Sequence, residues 1–182
     1  MKKEYYPRAI DKYLLEWKNE KRHKPLLLRG ARQVGKSSAV RQLGKAFTHF
    51  VEVNFERDRE IMSIFAGTLK PQDIASRLSA FYGTPIIPGK TLLFLDEIQA
   101  CPEAIHSLWF FYEDYPELHV IAAGSLLEFA LKKMSSFGVG RVRSLFMYPM
   151  SFDEFLVATG HTGWADAKQS ASPDNPLFGA LH

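Results

Sequence analysis

Short apolar runs alternate with segments of helical character along most of the 182-residue sequence. Strands buried on both faces of a sheet read as nearly continuous apolar runs, and parallel strands need long, usually helical connections between them. The alternation therefore predicts an α/β fold with a parallel five-stranded sheet sandwiched by helices. The strands are predicted at 26–28, 50–55, 91–95, 119–123 and 142–148. The helices are predicted at 8–20, 36–47, 72–82, 102–112 and 126–134, with a further helix after Ser151.

The composition changes near residue 160. From 160 to 176 it turns to Gly, Ala, Ser, Asp, Asn and Pro with little apolar content, which predicts a surface loop or linker. The apolar pattern that resumes after this segment is too short to complete another element. We therefore expect one domain over 1–160, a linker in 161–182 that begins a C-terminal region, and a native chain that continues further.

The composition also bears on the compartment. Although 46% of the residues are hydrophobic, no apolar run reaches the roughly 18 residues of a membrane span, and the basic N-terminus lacks a signal-peptide core. Cys101 has no second cysteine with which to form a disulfide, which favours a reducing compartment. We expect a cytoplasmic protein with no membrane partner. The histidines show no metal-ligand spacing, so a zinc site is not supported.

Residues 30–37 read GARQVGKS and match G-x-x-x-x-G-K-[ST] between a predicted strand and a predicted helix. Phosphate oxygens bind inward-pointing backbone N–H groups, the glycines leave room for them, and the helix N-terminus adds partial positive charge. We expect Lys36 to reach the β- and γ-phosphates of a nucleotide and Ser37 to bind Mg²⁺. The predicted phosphate-binding residues are Gly30, Ala31, Arg32, Gln33, Val34, Gly35, Lys36, Ser37 and Ser38.

Two adjacent carboxylates follow the apolar strand TLLFL, in the segment 91–99. Ligands of open α/β sheets bind outside the carboxyl ends of the strands, so Asp96 and Glu97 are predicted to face the phosphates. We expect Asp96 to hold Mg²⁺ and Glu97 to orient or deprotonate the attacking water.

The strand HVIAA ends in Gly124 and Ser125. If this strand lies between the first strand and the acidic-pair strand, Ser125 projects beside the γ-phosphate and could sense it or hold the lytic water. The residues alone do not establish that insertion. A second, compatible interpretation is that Ser125 caps the helix that follows.

Arg141 and Arg143 precede or begin the fifth strand. An arginine can stabilise the charge on a transferring γ-phosphoryl group, in cis or from a neighbouring subunit, so Arg141 is a catalytic candidate. The alternative is a surface salt bridge with nearby acids. Asn54 and Glu56, at the end of the second strand, either hydrogen-bond Glu97 or form a turn.

With GARQVGKS, LLFLDEIQ, AAGS and GRVRSLFMYPMSFDEF in this order, residues 1 to about 160 resemble the bacterial AAA-type P-loop ATP-binding proteins. The resemblance implies ATP and Mg²⁺ as ligands, a sensor strand inserted between the P-loop and acidic-pair strands, and a C-terminal domain as partner. Lys36 and Ser37 match the Walker A positions, and Asp96 and Glu97 match the Walker B pair. Ser125 matches the sensor position, where many such ATPases have Asn.

The leading functional hypothesis is an ATP hydrolase in which Glu97 acts as the base and hydrolysis drives a conformational change in the C-terminal domain. A slowly hydrolysing ATP-dependent switch is the alternative, and a small-molecule kinase is third. A GTPase is disfavoured because no [NT]-K-x-D motif is present.

Charge distribution raises nucleic acid as a partner. Residues 1–45 carry 13 basic and 4 acidic side chains (+9), whereas 46–182 carry 10 and 16 (−6). The basic residues are interleaved with acids or lie at the phosphate loop, so nucleic-acid binding is possible but unsupported. A homo-oligomer is also possible.

Overall fold

The computed structural model describes residues 5–67, 69–125, 127 and 140–171. The elements in chain order are α1 (Ala9–Lys18), β1 (Leu26–Arg29), α2 (Lys36–Gly44), β2 (His49–Asn54), α3 (Met62–Gly67), α4 (Pro71–Tyr82), β3 (Thr91–Asp96), α5 (Pro102–Asp114), β4 (His119–Ala123), β5 (Arg143–Phe146), α6 (Phe152–Ala158) and α7 (Thr162–Ser170). Short 3-10 helices cover Arg59–Ile61 and Ile98–Ala100. The predicted α/β class is confirmed. The helix predicted at 126–134 lies, apart from Leu127, outside the described residues.

The five strands form one parallel sheet in the order β2-β3-β4-β1-β5. Strand β4 lies between β1 and β3, as the resemblance implied. Leu27 in β1 is paired with Ala122 of β4 on one side and with Ser144 of β5 on the other. Because every strand runs in the same direction, the ends of β1, β3 and β4 meet at one edge of the sheet.

Alternate residues of β1 face two separate cores. Leu26 and Leu28 pack with α1 and α2, whereas Leu27 belongs to the cluster under α4 and α5. All three leucines are at most 1% exposed. Side chains on successive strand residues point to opposite faces, so a continuous apolar run is what a sheet covered on both faces requires. The two helical layers hold the sheet edge in place.

One sequence expectation is wrong over 162–170. This segment, predicted as loop or linker, forms α7. Its two alanines and its Lys and Gln are good helix formers, whereas the prediction from composition counted alanine among the residues of a loop. Lys168 also donates a 2.6 Å hydrogen bond to Asp153 of α6, which ties the two helices together.

Within the described ranges, no helix is both long and apolar enough to cross a lipid bilayer. The same part of the chain holds no group of three or more His, Cys, Asp or Glu side chains placed to bind a metal ion.

Candidate nucleotide site

The loop between β1 and α2 is built around a glycine that no other residue could replace without a shift. Gly30 has φ +145°, and a Cβ atom there would lie 2.2 Å from the carbonyl oxygen of Met147. The amide of Met147 in turn donates to the carbonyl of Arg29 at 2.8 Å. The segment after β5 thus presses against the start of the loop, and only glycine leaves the space.

Lys36, the first residue of α2, turns back over this loop. Its Nζ donates to the carbonyl oxygens of Gly30 at 2.9 Å and Ala31 at 2.8 Å. Burial lowers the pKa of Lys36, while the carboxylates of Glu97 and Asp96 partly offset that effect. The ammonium group therefore lies at the loop and within the field of the acidic pair.

Ser37 and Asp96 meet at the carboxyl edge of the sheet. The hydroxyl of Ser37 donates to Oδ2 of Asp96 at 2.9 Å. Asp96 is only 6% exposed, and burial raises its pKa; the nearby charge of Glu97 also raises it, whereas the Ser37 hydrogen bond opposes the shift. A hydroxyl and a carboxylate are oxygen ligands of the kind that Mg²⁺ prefers, with phosphates and waters completing its shell, so the pair fits that ion.

Glu97 begins the short turn Ile98–Ala100 from an unusual backbone conformation. Its φ is +51°, in the left-handed region that side chains rarely adopt and that is often found at functional sites. Its Oε2 accepts hydrogen bonds from Gln99 Nε2 at 2.8 Å and from both the amide and the hydroxyl of Ser125 at 3.3 Å. The structure thus brings the two predicted residues Glu97 and Ser125 together. Gln99 joins them as a residue for which the sequence analysis predicts no role.

Arg141 and Arg143 lie at the other end of the sheet. Arg143 is paired with Leu26 at the start of β1 and forms bidentate hydrogen bonds with Glu20 at 2.6 and 2.9 Å. Arg141 forms an ion pair with Glu113 and stacks over the ring of Trp109 at 4.3 Å. The cis role considered for Arg141 is therefore wrong, because residues that precede a parallel strand lie at the amino edge. A role from a neighbouring subunit stays a prediction.

Asn54 serves the turn after β2. Its Oδ1 accepts from the backbone amides of Glu56 at 3.1 Å and Arg57 at 3.0 Å. The turn-forming alternative is confirmed for Asn54, and the side-chain carboxylate of Glu97 accepts hydrogen bonds from Gln99 and Ser125.

A cleft of about 390 Å³ opens beside the phosphate loop. Its walls come from the N-terminal segment, from α2 and from the segment after β5, and include Tyr5, Tyr6, Gly35, Ser38, Met147 and Met150. Aromatic rings and thioethers offer flat, polarizable surfaces. No pattern in the sequence indicates this cleft, because its walls are far apart in the chain.

Arg8 closes the same region. Its guanidinium donates to the carbonyl oxygens of Val34 and Tyr148, both at 2.9 Å, and its Nε lies 3.1 Å from Oε1 of Glu154. Glu154 also accepts 2.7 Å hydrogen bonds from the amides of Ala9 and Ser151. One buried arginine thus joins the phosphate loop to α6.

A glycine-bracketed loop, its lysine and an acidic strand end, all at one edge of a five-stranded parallel sheet, define the P-loop NTPase fold. Within that class, the chain belongs to the AAA domain family, whose model matches residues 22–156. Sequence comparison with curated proteins gives no match.

Among the solved structures that match is a Walker-type ATPase of Pyrococcus abyssi, with 18% sequence identity and a TM-score of 0.53. The match covers 97% of this chain and 63% of that protein, so the chain spans less than two thirds of its length. At this identity the likeness concerns the fold alone.

Proposed function

We propose that this chain binds MgATP and hydrolyses it to ADP and phosphate. The proposal rests above all on the 2.9 Å hydrogen bond between Ser37 and Asp96. That contact places the hydroxyl of Ser37, beside the phosphate loop, next to the carboxylate of Asp96 at the end of β3. A Mg²⁺ ion bound to a triphosphate requires such oxygen ligands close to the phosphates. Membership of the AAA domain family and the fold of a Walker-type ATPase support the same activity.

Each residue at the sheet edge has a distinct part in this proposal. The backbone amides of residues 30–38 bind the phosphates, and Lys36 exchanges its loop carbonyls for β- and γ-phosphate oxygens. Ser37 and Asp96 would hold Mg²⁺, which would neutralise charge on the phosphoryl oxygens. Glu97 takes the proton of the attacking water, and Ser125, already hydrogen-bonded to Glu97, holds that water or the transferred group.

The cleft beside Gly35 is proposed to take the nucleoside. It adjoins the phosphate loop, and Tyr5, Tyr6, Met147 and Met150 provide apolar surfaces on which a purine ring can stack. Because Tyr5 and Tyr6 form one wall, a bound nucleoside would contact both the N-terminal segment and α2.

ATP hydrolysis is proposed to change the conformation of a C-terminal region. We infer that 1–160 forms the ATPase domain and that 161 onwards leads into a further region whose conformation follows the nucleotide. Arg8 provides a direct path, since it contacts both Val34 in the loop and Glu154 in α6. Arg141, exposed at the opposite edge, would act only on the site of a neighbouring copy in a homo-oligomer.

A slowly hydrolysing switch is the second candidate. It is favoured by serine at position 125, since a hydroxyl has fewer groups for positioning water than the amide of asparagine. Glu97→Gln separates the two. Loss of both turnover and the cellular output favours the hydrolase, and loss of turnover alone favours the switch.

The decisive experiment measures phosphate release with MgATP by wild type, Lys36→Ala and Lys12→Ala. Lys12 lies on α1, its side chain is 79% exposed, and its substitution makes the same change of charge. We expect release by wild type and Lys12→Ala and none by Lys36→Ala, with and without DNA. Equal rates for all three proteins would overturn the proposal.

A further inference from the structure

Gln99 makes the shortest hydrogen bond to the carboxylate of Glu97. We propose that Gln99 is a positioning residue that fixes Glu97 for proton abstraction, an inference that rests on the proposed hydrolysis. Its Nε2 lies 2.8 Å from Oε2 of Glu97, whereas the two donors of Ser125 lie at 3.3 Å. All three donors converge on one oxygen. Oε1 is thereby kept for the water.

The local backbone explains how a residue two positions away can reach Glu97. The left-handed φ of +51° at Glu97 reverses the chain, and the 3-10 turn Ile98–Ala100 brings the side chain of Gln99 back towards it. In a regular helix or strand, residues i and i+2 do not face each other in this way. The strained conformation at Glu97 therefore has a definite use.

The end of β4 is shaped to admit this amide. A Cβ atom on Gly124 would lie 1.9 Å from Oε1 of Gln99. Gly124 therefore provides the space in which Gln99 sits, and its neighbour Ser125 contacts the same carboxylate. The loop after β3 and the end of β4 form one unit around Glu97.

The cost of this arrangement argues that stability is not its purpose. Oε1 of Gln99 is buried and has no hydrogen-bond donor among the described residues. Leaving a buried acceptor unpaired destabilises the folded state. An apolar side chain of similar length would fill the space without that cost, so the amide at this position serves through its donor group, which Glu97 accepts.

The test compares Gln99→Met with wild type in single-turnover ATP hydrolysis, nucleotide binding and thermal unfolding. Methionine keeps the length of the side chain and removes the donor. We expect kcat to fall by roughly 10- to 100-fold, with ATP affinity and melting temperature unchanged or higher. In a Glu97→Gln background, the same substitution should change the residual rate by less than about twofold, because the group that it positions is gone.

Gly124→Ala provides a second route to the same state, since the added methyl must push the amide away. It should lower kcat as Gln99→Met does. The double variant should be no slower than the slower of the two single variants. If Gln99→Met hydrolyses ATP at the wild-type rate or faster, and hydrolysis still depends on Lys36, this inference is overturned and the proposed function stands. The inference is also overturned if Gln99→Met lowers the rate by the same factor in the Glu97→Gln background as in wild type. If wild type releases phosphate no faster than Lys36→Ala, the proposed function and the inference both fail.

Discussion

The hydroxyl of Ser37 donates to Asp96 across 59 residues of sequence and over an intervening strand. Ser37 is fixed by the start of α2, and Asp96 by the last position of β3. The contact requires that the carboxyl ends of β1 and β3 lie at the same edge of the sheet, and they do so with β4 between them. It is therefore the most direct link between the topology of the sheet and its proposed chemistry.

Asp96→Asn should abolish Mg²⁺-dependent hydrolysis without weakening the fold. Burial raises the pKa of Asp96, so its ionised form at neutral pH costs stability; such a group contributes stability below its ordinary pKa and loses it as pH rises. We expect the turnover rate to fall by about 100-fold or more and the melting temperature without nucleotide to stay level or rise. Phosphate release across a Mg²⁺ titration, with thermal unfolding in parallel, checks both results. A variant that loses stability but keeps Mg²⁺ dependence would contradict this role.

Arg8→Ala should destabilise the protein more than the loss of an exposed ion pair. The side chains of Arg8 and Glu154 are 9% and 15% exposed, whereas those of Lys168 and Asp153 are 45% and 46% exposed. Removing a buried charged donor that binds two carbonyls costs about 1–3 kcal/mol, and an exposed pair contributes less than about 1 kcal/mol. Urea unfolding of Arg8→Ala against Lys168→Ala measures the difference. Equal losses would show that Arg8 is no more than a surface residue.

The same pair predicts a loss of stability in acid. Burial alone would raise the pKa of Glu154, but the amides of Ala9 and Ser151 and the guanidinium of Arg8 outweigh it and lower the pKa. Stability from this group is present above its ordinary value of 4.5 and is lost as pH falls through the lower value in the folded protein. Glu154→Gln should reduce this loss of stability in acid, measured as the free energy of urea unfolding at a series of pH values. An unchanged dependence on pH would contradict the assignment.

The sequence predicts features formed by neighbouring residues, but it does not predict contacts between residues far apart in the chain. The strands, the phosphate loop and the acidic pair are contiguous patterns, so periodicity and spacing predict them. Arg8 contacts Tyr148, 140 residues away, and no local pattern encodes that meeting. Gln99 depends on the backbone reversal at Glu97, which neither propensity nor spacing indicates.

The cis role of Arg141 fails for a reason that topology supplies. In a parallel sheet, residues before a strand lie at its amino edge, away from the ligand edge, so the predicted topology already argued against it. The loop prediction over 162–170 fails for a different reason. Small residues suit loops and helices alike, so composition does not distinguish the two over this segment.

Arg141→Ala should leave turnover almost unchanged in a dilute monomer. Its side chain is held by Glu113 and Trp109 at the amino edge of the sheet. We expect kcat within about twofold of wild type at protein concentrations where the chain is monomeric, as for a surface ion pair. A loss that appears only as the concentration rises would support a contribution from a neighbouring copy. A loss in the monomer would contradict the observed position.

The imidazole of His23 lies against that of His119, with ring centroids 3.7 Å apart and ring planes tilted by 39°, beside the buried ring of Trp17. Burial, together with the smaller effect of the neighbouring His119, lowers the pKa of His23 to about 4, while Glu20 opposes the shift. Only the unfolded chain therefore takes up a proton as the pH falls below 6.5, so stability is complete above that value and declines towards pH 4. His23 alone should lower the free energy of unfolding by about 2 kcal/mol between pH 7.5 and pH 5. His23→Leu should reduce this slope, whereas the same change at the exposed His106 should leave it as in wild type; equal slopes for wild type and His23→Leu would show that His23 is not the group responsible.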